Sequence, residues 1–428
     1  MSNVKSFGGA KFLVPNLCIK SQYRNTAWFT KVPKAAPDPI FGLLEAYLHD
    51  PAKQKVNLTV GAYRDDEGKP FVLQSVRKAE LKIMCKDMDK EYAGMIGNQV
   101  FGRKAFDLAM GEGNEFSECG RAVFCQTISG SGAICIVGGF LSKWFERRVV
   151  YVCEPTWPNH HGILRYAGLC TKTYRYYNYK TLALDFECLK EDLHKIPSRS
   201  IVLFHASAHN PTGVDPTPEQ WNEIIAICKE KQFYVIVDFA YQGFGSGDPE
   251  FDAYPVRQFA KAGIGMAVCQ SFSKNMGLYG ERTGLATFIC DSPDEAKRVE
   301  SQVKLIARSL YSNPPINGAR IALEILCDKE LKKLWLSELK QMAARIKWTR
   351  KTLKEGIIKA GSKLNWDHIT NQIGMFSYTG IKRPAVQKII KDYHIYMMEN
   401  GRISMSGLNS KNIGYVSDAF HKATSDKK

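Results

Sequence analysis

Four short apolar runs, Val149–Val152, Ile201–Phe204, Tyr234–Val237 and Met266–Cys269, recur through the middle of the chain with helical patterns between them. Runs of that length without polar alternation suit strands buried on both faces, and the helices between them return the chain for parallel pairing. The spacing therefore predicts an α/β chain built on a mostly parallel sheet. One intervening helix, Pro218 to Lys229, is marked at its start by Thr217 as a cap and Glu219 in the first turn. After Pro314 and Pro315 the pattern becomes long, charged and helical from Gly318 to Ala360, with Trp335, Leu339, Met342 and Ile346 at three- and four-residue steps. A final αβ segment follows. A chain of 428 residues exceeds one compact core. We expect a large domain over residues 70–318, and a smaller one in which residues 319–428 pack with part of residues 26–69, the rest of which forms an N-terminal arm.

Composition excludes several classes. The hydrophobic fraction of 44% and charged fraction of 24% belong to an ordinary globular chain. No run approaches the roughly 20 apolar residues that span a bilayer. The net charge is +16, but the basic residues are spread along the chain with no nucleic-acid-binding signature, so nucleic acid is not an expected partner. A basic protein that attracts small anions fits this balance. The first acidic residue is Asp38, preceded by Lys5, Lys11, Lys20 and Arg24. A basic, acid-free leader of this kind reads as a mitochondrial presequence, expected over residues 1–25. Twelve cysteines show no C-x-x-C pair, so no metal site is expected and they read as small buried apolar residues.

Four segments carry chemistry. Thr127-Ile-Ser-Gly-Ser-Gly-Ala133 runs into an apolar helical stretch; small residues at a helix start present free N–H groups to an anion, and Ser129 and Ser131 add hydroxyls. It lacks the G-K-[ST] of a nucleotide loop and the G-x-G-x-x-G of a dinucleotide fold. The run Phe233–Val237 ends in Asp238, with Tyr241 three residues on, at the strand end where open α/β sheets bind ligands. Lys274 follows another strand among hydroxyls, a setting that suits a Schiff-base lysine. His205-Ala-Ser-Ala-His-Asn-Pro-Thr-Gly-Val-Asp215 again lies past a strand, with Asn210 before Pro211 fixing a turn. Arg308 and Arg402 supply forks able to grip carboxylates. An anion turn, a strand-end Asp, a reactive Lys and spare arginines together make the set that a pyridoxal phosphate enzyme uses.

From about Trp28 onward the chain also resembles the aspartate aminotransferases, a class I pyridoxal-phosphate-dependent family, and among them the mitochondrial form most. The likeness rests on Val60-Gly-Ala-Tyr-Arg64, Lys90-Glu-Tyr92, Thr127-Ile-Ser-Gly130, Pro155-Thr-Trp157, Ala208-His-Asn-Pro-Thr-Gly213, Asp238-Phe-Ala-Tyr-Gln-Gly243, Ser273-Lys-Asn-Met-Gly-Leu-Tyr-Gly-Glu-Arg282 and Tyr311-Ser-Asn-Pro-Pro315, in that order. The resemblance implies the type I pyridoxal-enzyme fold, with a seven-stranded, mostly parallel sheet in the large domain and a mobile smaller α/β domain. It implies pyridoxal 5'-phosphate held as an aldimine on Lys274, which then shuttles the substrate Cα proton. Asp238 would pair with the ring nitrogen, and Tyr241 and Asn210 with the ring oxygen, while Trp157 stacks on the ring. Ser129, Gly130, Ser131, Ser271 and Arg282 match phosphate-binding positions, and Tyr92 matches a phosphate contact from a partner subunit. His160 and His205 match groups supporting Asp238. Arg402 matches the clamp on the substrate α-carboxylate, and Arg308, again from the partner, the clamp on the side-chain carboxylate. Trp157, Asn210 and Gly61 would also line the substrate.

The implied activity is amino transfer between L-aspartate and 2-oxoglutarate in a homodimer with shared active sites, located in the mitochondrial matrix. Three departures stand out. Ser131 replaces a Thr and keeps its hydroxyl, Thr59 stands where Gly is usual and would stiffen the Val60–Gly61 segment, and residues 91–98 differ from the usual stretch around Tyr92. The rival readings are a catalytically weak paralogue with a binding role, and an aminotransferase of broader specificity that accepts aromatic acids. Retention of Lys274, Asp238 and both arginines argues against the first, and two carboxylate-binding arginines argue against the second.

Overall fold

The computed structural model describes residues 28–35, 38–59 and 61–425; the expected presequence and Val60 lie outside these. Residues 1–38 and 39–428 form separate units by backbone contact. The described part of the first is a turn closed by Val32 N–H to the Phe29 carbonyl, followed by exposed residues without regular structure.

The second unit is built around a seven-stranded sheet. In chain order its strands are β1 (Ala122–Ile128), β2 (Val149–Glu154), β3 (Cys170–Arg175), β4 (Ile201–His205), β5 (Tyr234–Phe239), β6 (Met266–Ser271) and β7 (Thr283–Ile289). They lie in the order β1-β7-β6-β5-β4-β2-β3. Every pairing is parallel except the two made by β7, which runs antiparallel to both β1 and β6. The four expected strands are all present, each extended by one or two residues at its carboxyl end. Strands β4 and β6 are buried along their whole length. Their side chains alternate between two cores: Val202, Phe204, Met266 and Val268 on one face, Ile201, Leu203, Ala267 and Cys269 on the other. Burial on both faces is why these strands read as uninterrupted apolar runs.

Helix α1 (Ser129–Trp144) continues directly from β1. Helix α2 (Pro218–Glu230) opens on a capping box in which the Thr217 hydroxyl accepts from Gln220 N–H. Helix α3 (Pro293–Leu310) ends near Arg308. The expected helical stretch after residue 318 is two helices, Asn317–Cys327 and the 31-residue α4 (Lys329–Lys359). They divide at Asp328, whose carboxylate caps α4 by accepting from the N–H groups of Glu330 and Leu331. Beyond the main sheet, Val56–Asn57 pairs in parallel with Ile395–Tyr396, and Phe376–Tyr378 pairs antiparallel with Arg402–Ser404. Chain from before the sheet thus joins chain from after it. Among the described residues no helix is long and apolar enough to cross a membrane. The cysteines depart from expectation: Cys85, Cys119, Cys170 and Cys327 are exposed, whereas Cys125, Cys153, Cys228, Cys269 and Cys290 are buried.

Candidate active site

The carboxyl ends of the parallel strands share one edge of the sheet, and because β7 runs the other way its first residue, Thr283, opens at that same edge opposite Ile128. The chemistry-bearing segments all follow from this edge, as the geometry of open α/β sheets requires.

On the β1/β6 side, Ser129 enters α1 with φ of +63°. Its Oγ lies 2.9 Å from Ser271 Oγ and 2.8 Å from Ser273 Oγ. A Cβ on Gly284 would stand 2.7 Å from Ser129 Cα, so only glycine on β7 lets this turn lie against the strand. Gly130 is buried beside Ser271, and Ser131 is half-buried. Arg282 is exposed just before β7, its Nη1 donating to the Tyr279 carbonyl. Partial burial lowers its pKa. Hydroxyls, helix N–H groups and a guanidinium converge here on the chemistry of a phosphate.

In the middle of the edge, Asp238 is the buried penultimate residue of β5, its Oδ2 3.2 Å from His160 Nε2 and 3.9 Å from His205 Nδ1. The Thr156 hydroxyl links the two imidazoles, 2.8 Å from His160 Nδ1 and 3.1 Å from His205 Nε2. Burial alone would raise the Asp238 carboxyl, but His160, His205 and Lys274 outweigh it and hold the pKa below its ordinary value. Burial, with the charge of His160, pushes His205 down to about 3, so it is neutral near pH 7. Trp157 is half-buried and packs edge-on against His160 at 5.3 Å between centroids.

Lys274 lies partly buried in the turn after β6, its Nζ 5.1 Å from the Tyr241 ring centre. Burial lowers its pKa, the charge of Arg282 lowers it further, and Asp238 opposes both. Burial, reinforced by Asp238, keeps the Tyr241 phenol protonated. Asn210 Nδ2 reaches the Tyr241 hydroxyl at 3.5 Å, and Asn210 Oδ1 lies 3.5 Å from Arg402 Nη1. An ionised carboxylate, a lysine biased toward its free amine and a hydroxyl cluster on one edge fit a phosphorylated pyridine aldehyde.

Arg402 is buried. Its Nη2 donates to the Thr59 carbonyl at 2.8 Å, its guanidinium stacks 4.3 Å from the Phe376 ring centre, and its Nε has no acceptor. No carboxylate pairs with it among the described residues, and burial pushes its pKa down to about 10. Thr59, expected to stiffen its segment, is tied back to Asn57 Oδ1 through both its N–H and its hydroxyl, at 2.9 and 2.6 Å. Gly61 packs under Phe376, where a Cβ would stand 2.4 Å from Cζ.

Two expected residues stand apart from this group. Arg308 is exposed at the end of α3, bonded to Ser312 Oγ, and Tyr92 is exposed. Sequence reasoning also missed several contributors. Asp215 accepts from Ala208 N–H and His209 N–H at 2.6 and 2.8 Å, pinning the Asn210 loop; burial raises its pKa to about 7. His209 stacks on Tyr176 at 4.1 Å and lies 3.1 Å from Cys153 Sγ. Cys153, His205 and His209 thereby gather donor atoms within 4.8 Å of one another, although they come from two different strands and a loop. The motif Ala208–Gly213 held the signal for His209; nothing local marked Cys153 or Phe376.

Residues 53–420 match the family described as aminotransferase class I and II. The chain is 49% identical over 404 residues to the mitochondrial aspartate aminotransferase of Xenopus tropicalis, covering 94% of this chain and 95% of that protein. It is similar to the solved structure of a mitochondrial aspartate aminotransferase from Trypanosoma brucei, with a TM-score of 0.87, 42% identity, and 90% and 100% of the two chains covered. It is also similar to an aromatic-amino-acid aminotransferase from Burkholderia pseudomallei covalently bound to pyridoxal phosphate, with a TM-score of 0.90, 37% identity, and 92% and 99% covered.

Proposed function

The chain belongs to the aminotransferase class I and II family, and from that premise we propose that it is an aspartate transaminase exchanging L-aspartate and 2-oxoglutarate for oxaloacetate and L-glutamate. Family membership implies dependence on pyridoxal phosphate. When bound, that group supplies an electron sink for the charge developed at the substrate Cα.

This chain's residues have the following roles in our reading. Lys274 would hold the group covalently until the substrate amine displaces it; its released amine, whose protonation burial disfavours, would then take the proton from the substrate Cα. Asp238, kept anionic chiefly by its hydrogen bond with His160, would hold a proton on the ring nitrogen. Tyr241 and Asn210 donate to the ring oxygen, and Trp157 covers the ring face. Ser129, Gly130, Ser131, Ser271 and Arg282 hold the phosphate. Arg402 orients the substrate through its α-carboxylate, with Gly61, Asn210 and Trp157 around it. The observation that carries the proposal is Arg402: a buried guanidinium with, among the described residues, no carboxylate partner and an unmet Nε, bonded to the asparagine that also reaches Tyr241. A buried cation in that state selects an anionic substrate.

The exposure of Arg308 and Tyr92 supports a homodimer in which each reaches the partner's site. The second carboxylate clamp, and with it the preference for dicarboxylic acids, would then come from Arg308. We assign residues 319–428, with the part of residues 26–69 that follows the N-terminal arm, to the smaller, mobile domain; the pairing of Val56–Asn57 with Ile395–Tyr396 supports this. The basic leader and the naming of relatives as mitochondrial support the matrix as its location.

The test is an absorption spectrum of the protein from residue 26 onward, loaded with pyridoxal phosphate, before and after L-aspartate, with Lys274→Ala beside it. The expected result is a visible band that requires Lys274, disappears on adding L-aspartate and leaves oxaloacetate in solution. A band that ignores L-aspartate but responds to L-phenylalanine would refute the dicarboxylate assignment. Absence of any band would favour the weak paralogue.

A further inference from the structure

Among the described residues, a second buried arginine differs from Arg402 in one respect. Arg350, on α4, is 2% exposed and also lacks a carboxylate partner, yet its guanidinium is surrounded by backbone carbonyls. Its Nη1 donates to the Ile369 carbonyl at 2.9 Å, and its Nη2 reaches those of Ile373, Gly374 and Phe376. These acceptors belong to one short segment. A planar fork with fixed donors can hold four carbonyls of a bend together, which an ammonium on a flexible stem does poorly.

The segment so held is pressed into the site. Ile373 N–H donates to the Gly213 carbonyl at 2.7 Å, and a Cβ on Gly213 would stand 2.8 Å from the carbonyl oxygens of both Ile373 and Phe376. The segment therefore abuts the loop that presents Asn210. Its last residue, Phe376, touches three parts of the site: the Arg402 guanidinium at 4.3 Å, the Tyr241 ring at 6.2 Å, and Gly61.

We propose that Arg350 and Phe376 form one positioning unit for substrate recognition, in which Arg350 fixes the backbone of residues 373–376 and so holds the Phe376 ring against the face of Arg402. The proposal rests on the reading of Arg402 as the carboxylate anchor. Neither residue touches substrate as a reacting group. Together they set the direction in which Arg402 offers its free edge.

The test uses the cofactor-loaded full chain with Phe376→Leu, Arg350→Lys, the double variant, and Arg402→Lys. A cation–ring contact of this kind predicts a KM for L-aspartate and 2-oxoglutarate raised about tenfold in Phe376→Leu and Arg350→Lys. Because the anchor acts on ground state and transition state alike, kcat should stay within about threefold. The double variant should be no worse than the worse single variant, since both break one unit. The visible cofactor band should be unchanged in all. An Arg350→Lys protein with a lowered melting midpoint and unaltered KM would have lost only structure, and the proposal would fail. Should Arg350→Lys not fold, Phe376→Leu decides alone, an unaltered KM overturning the unit. Collapse of activity in Arg402→Lys with no effect of Phe376→Leu would reject the unit and keep the anchor; no effect of Arg402→Lys would reject both.

Discussion

Arg402→Met should make the protein more stable while disabling it. The guanidinium is 3% exposed, and burial is the main cause of its pKa falling from the ordinary guanidinium range to about 10. At about 1.4 kcal/mol per pKa unit, burying this cation without an anion costs the free protein roughly 3 kcal/mol. Because the charged form is the one disfavoured on folding, the cost is fully present at pH 7 and fades only above the folded-state pKa. Three contacts offset it: the hydrogen bond to the Thr59 carbonyl and the stacking on Phe376, each worth about 1 kcal/mol, and the 3.5 Å contact with Asn210 Oδ1, worth a fraction of that. A methionine of similar length should therefore leave the free protein about 1 kcal/mol more stable, in line with replacements of buried ions by apolar groups. Urea unfolding of the cofactor-loaded protein measures this directly. With 2-oxoglutarate at about 100 times its Kd, the wild type should gain about 2.7 kcal/mol and the variant almost nothing. Activity should fall about 100-fold or more. A variant less stable than wild type without dicarboxylate, or equally stabilised by it, would refute the reading of Arg402 as a cation held ready for an anion.

Three further outcomes are expected. His205 is neutral in the fold with its pKa pushed down to about 3, so stability should fall as pH drops from about 6.5 toward 3. His205→Asn should flatten that dependence by up to about 1.4 kcal/mol per pH unit, read from urea midpoints across the window. Gly61→Ala places a Cβ 2.4 Å from Phe376 Cζ; overpacking should cost about 1–3 kcal/mol and raise KM, while an alanine variant with wild-type KM would detach Gly61 and Phe376 from substrate recognition. If Arg308 acts across a dimer, inactive Lys274→Ala and Arg308→Ala proteins refolded together should recover about a quarter of wild-type activity, since half the dimers are hybrids with one intact site. No recovery on mixing would place Arg308 in its own subunit's site or outside any site.

The parts legible in the sequence were those whose signal is local. Strands β4 and β6 show themselves because burial on both faces demands unbroken apolar runs, and Thr217 because a cap is written within three residues. Lys274, Asp238 and Asn210 were legible because each lies at or just past the carboxyl end of a strand, where the sheet edge gathers such residues. The break at Asp328 was hidden: a capping aspartate inside a charged helical stretch looks like one more solvated charge. Phe376 and Arg350 were hidden for a different reason. Their meaning lies in contacts with Arg402, Gly61 and the Asn210 loop, which only tertiary packing brings near. Cys153 reads as a small strand residue until His209 is folded against it. Tyr92, and the partner-subunit role of Arg308, depended on resemblance alone, and both residues lie exposed in the single chain.

The placement of β7 bears on when the protein becomes competent. The first strand of the sheet, β1, pairs with the last, β7, and the hydroxyl cluster of Ser129 with Ser271 and Ser273 spans 142 and 144 residues of chain. Contacts of such sequence separation form late, after the loop between them has been closed. A ribosome-bound chain that has emerged only as far as β6 carries Ser129 and Asp238 but has no strand against which to seat the Ser129 turn. Cofactor capture is thus a closing event of synthesis rather than a nucleus for it, and pyridoxal phosphate should stabilise the finished protein without accelerating its folding.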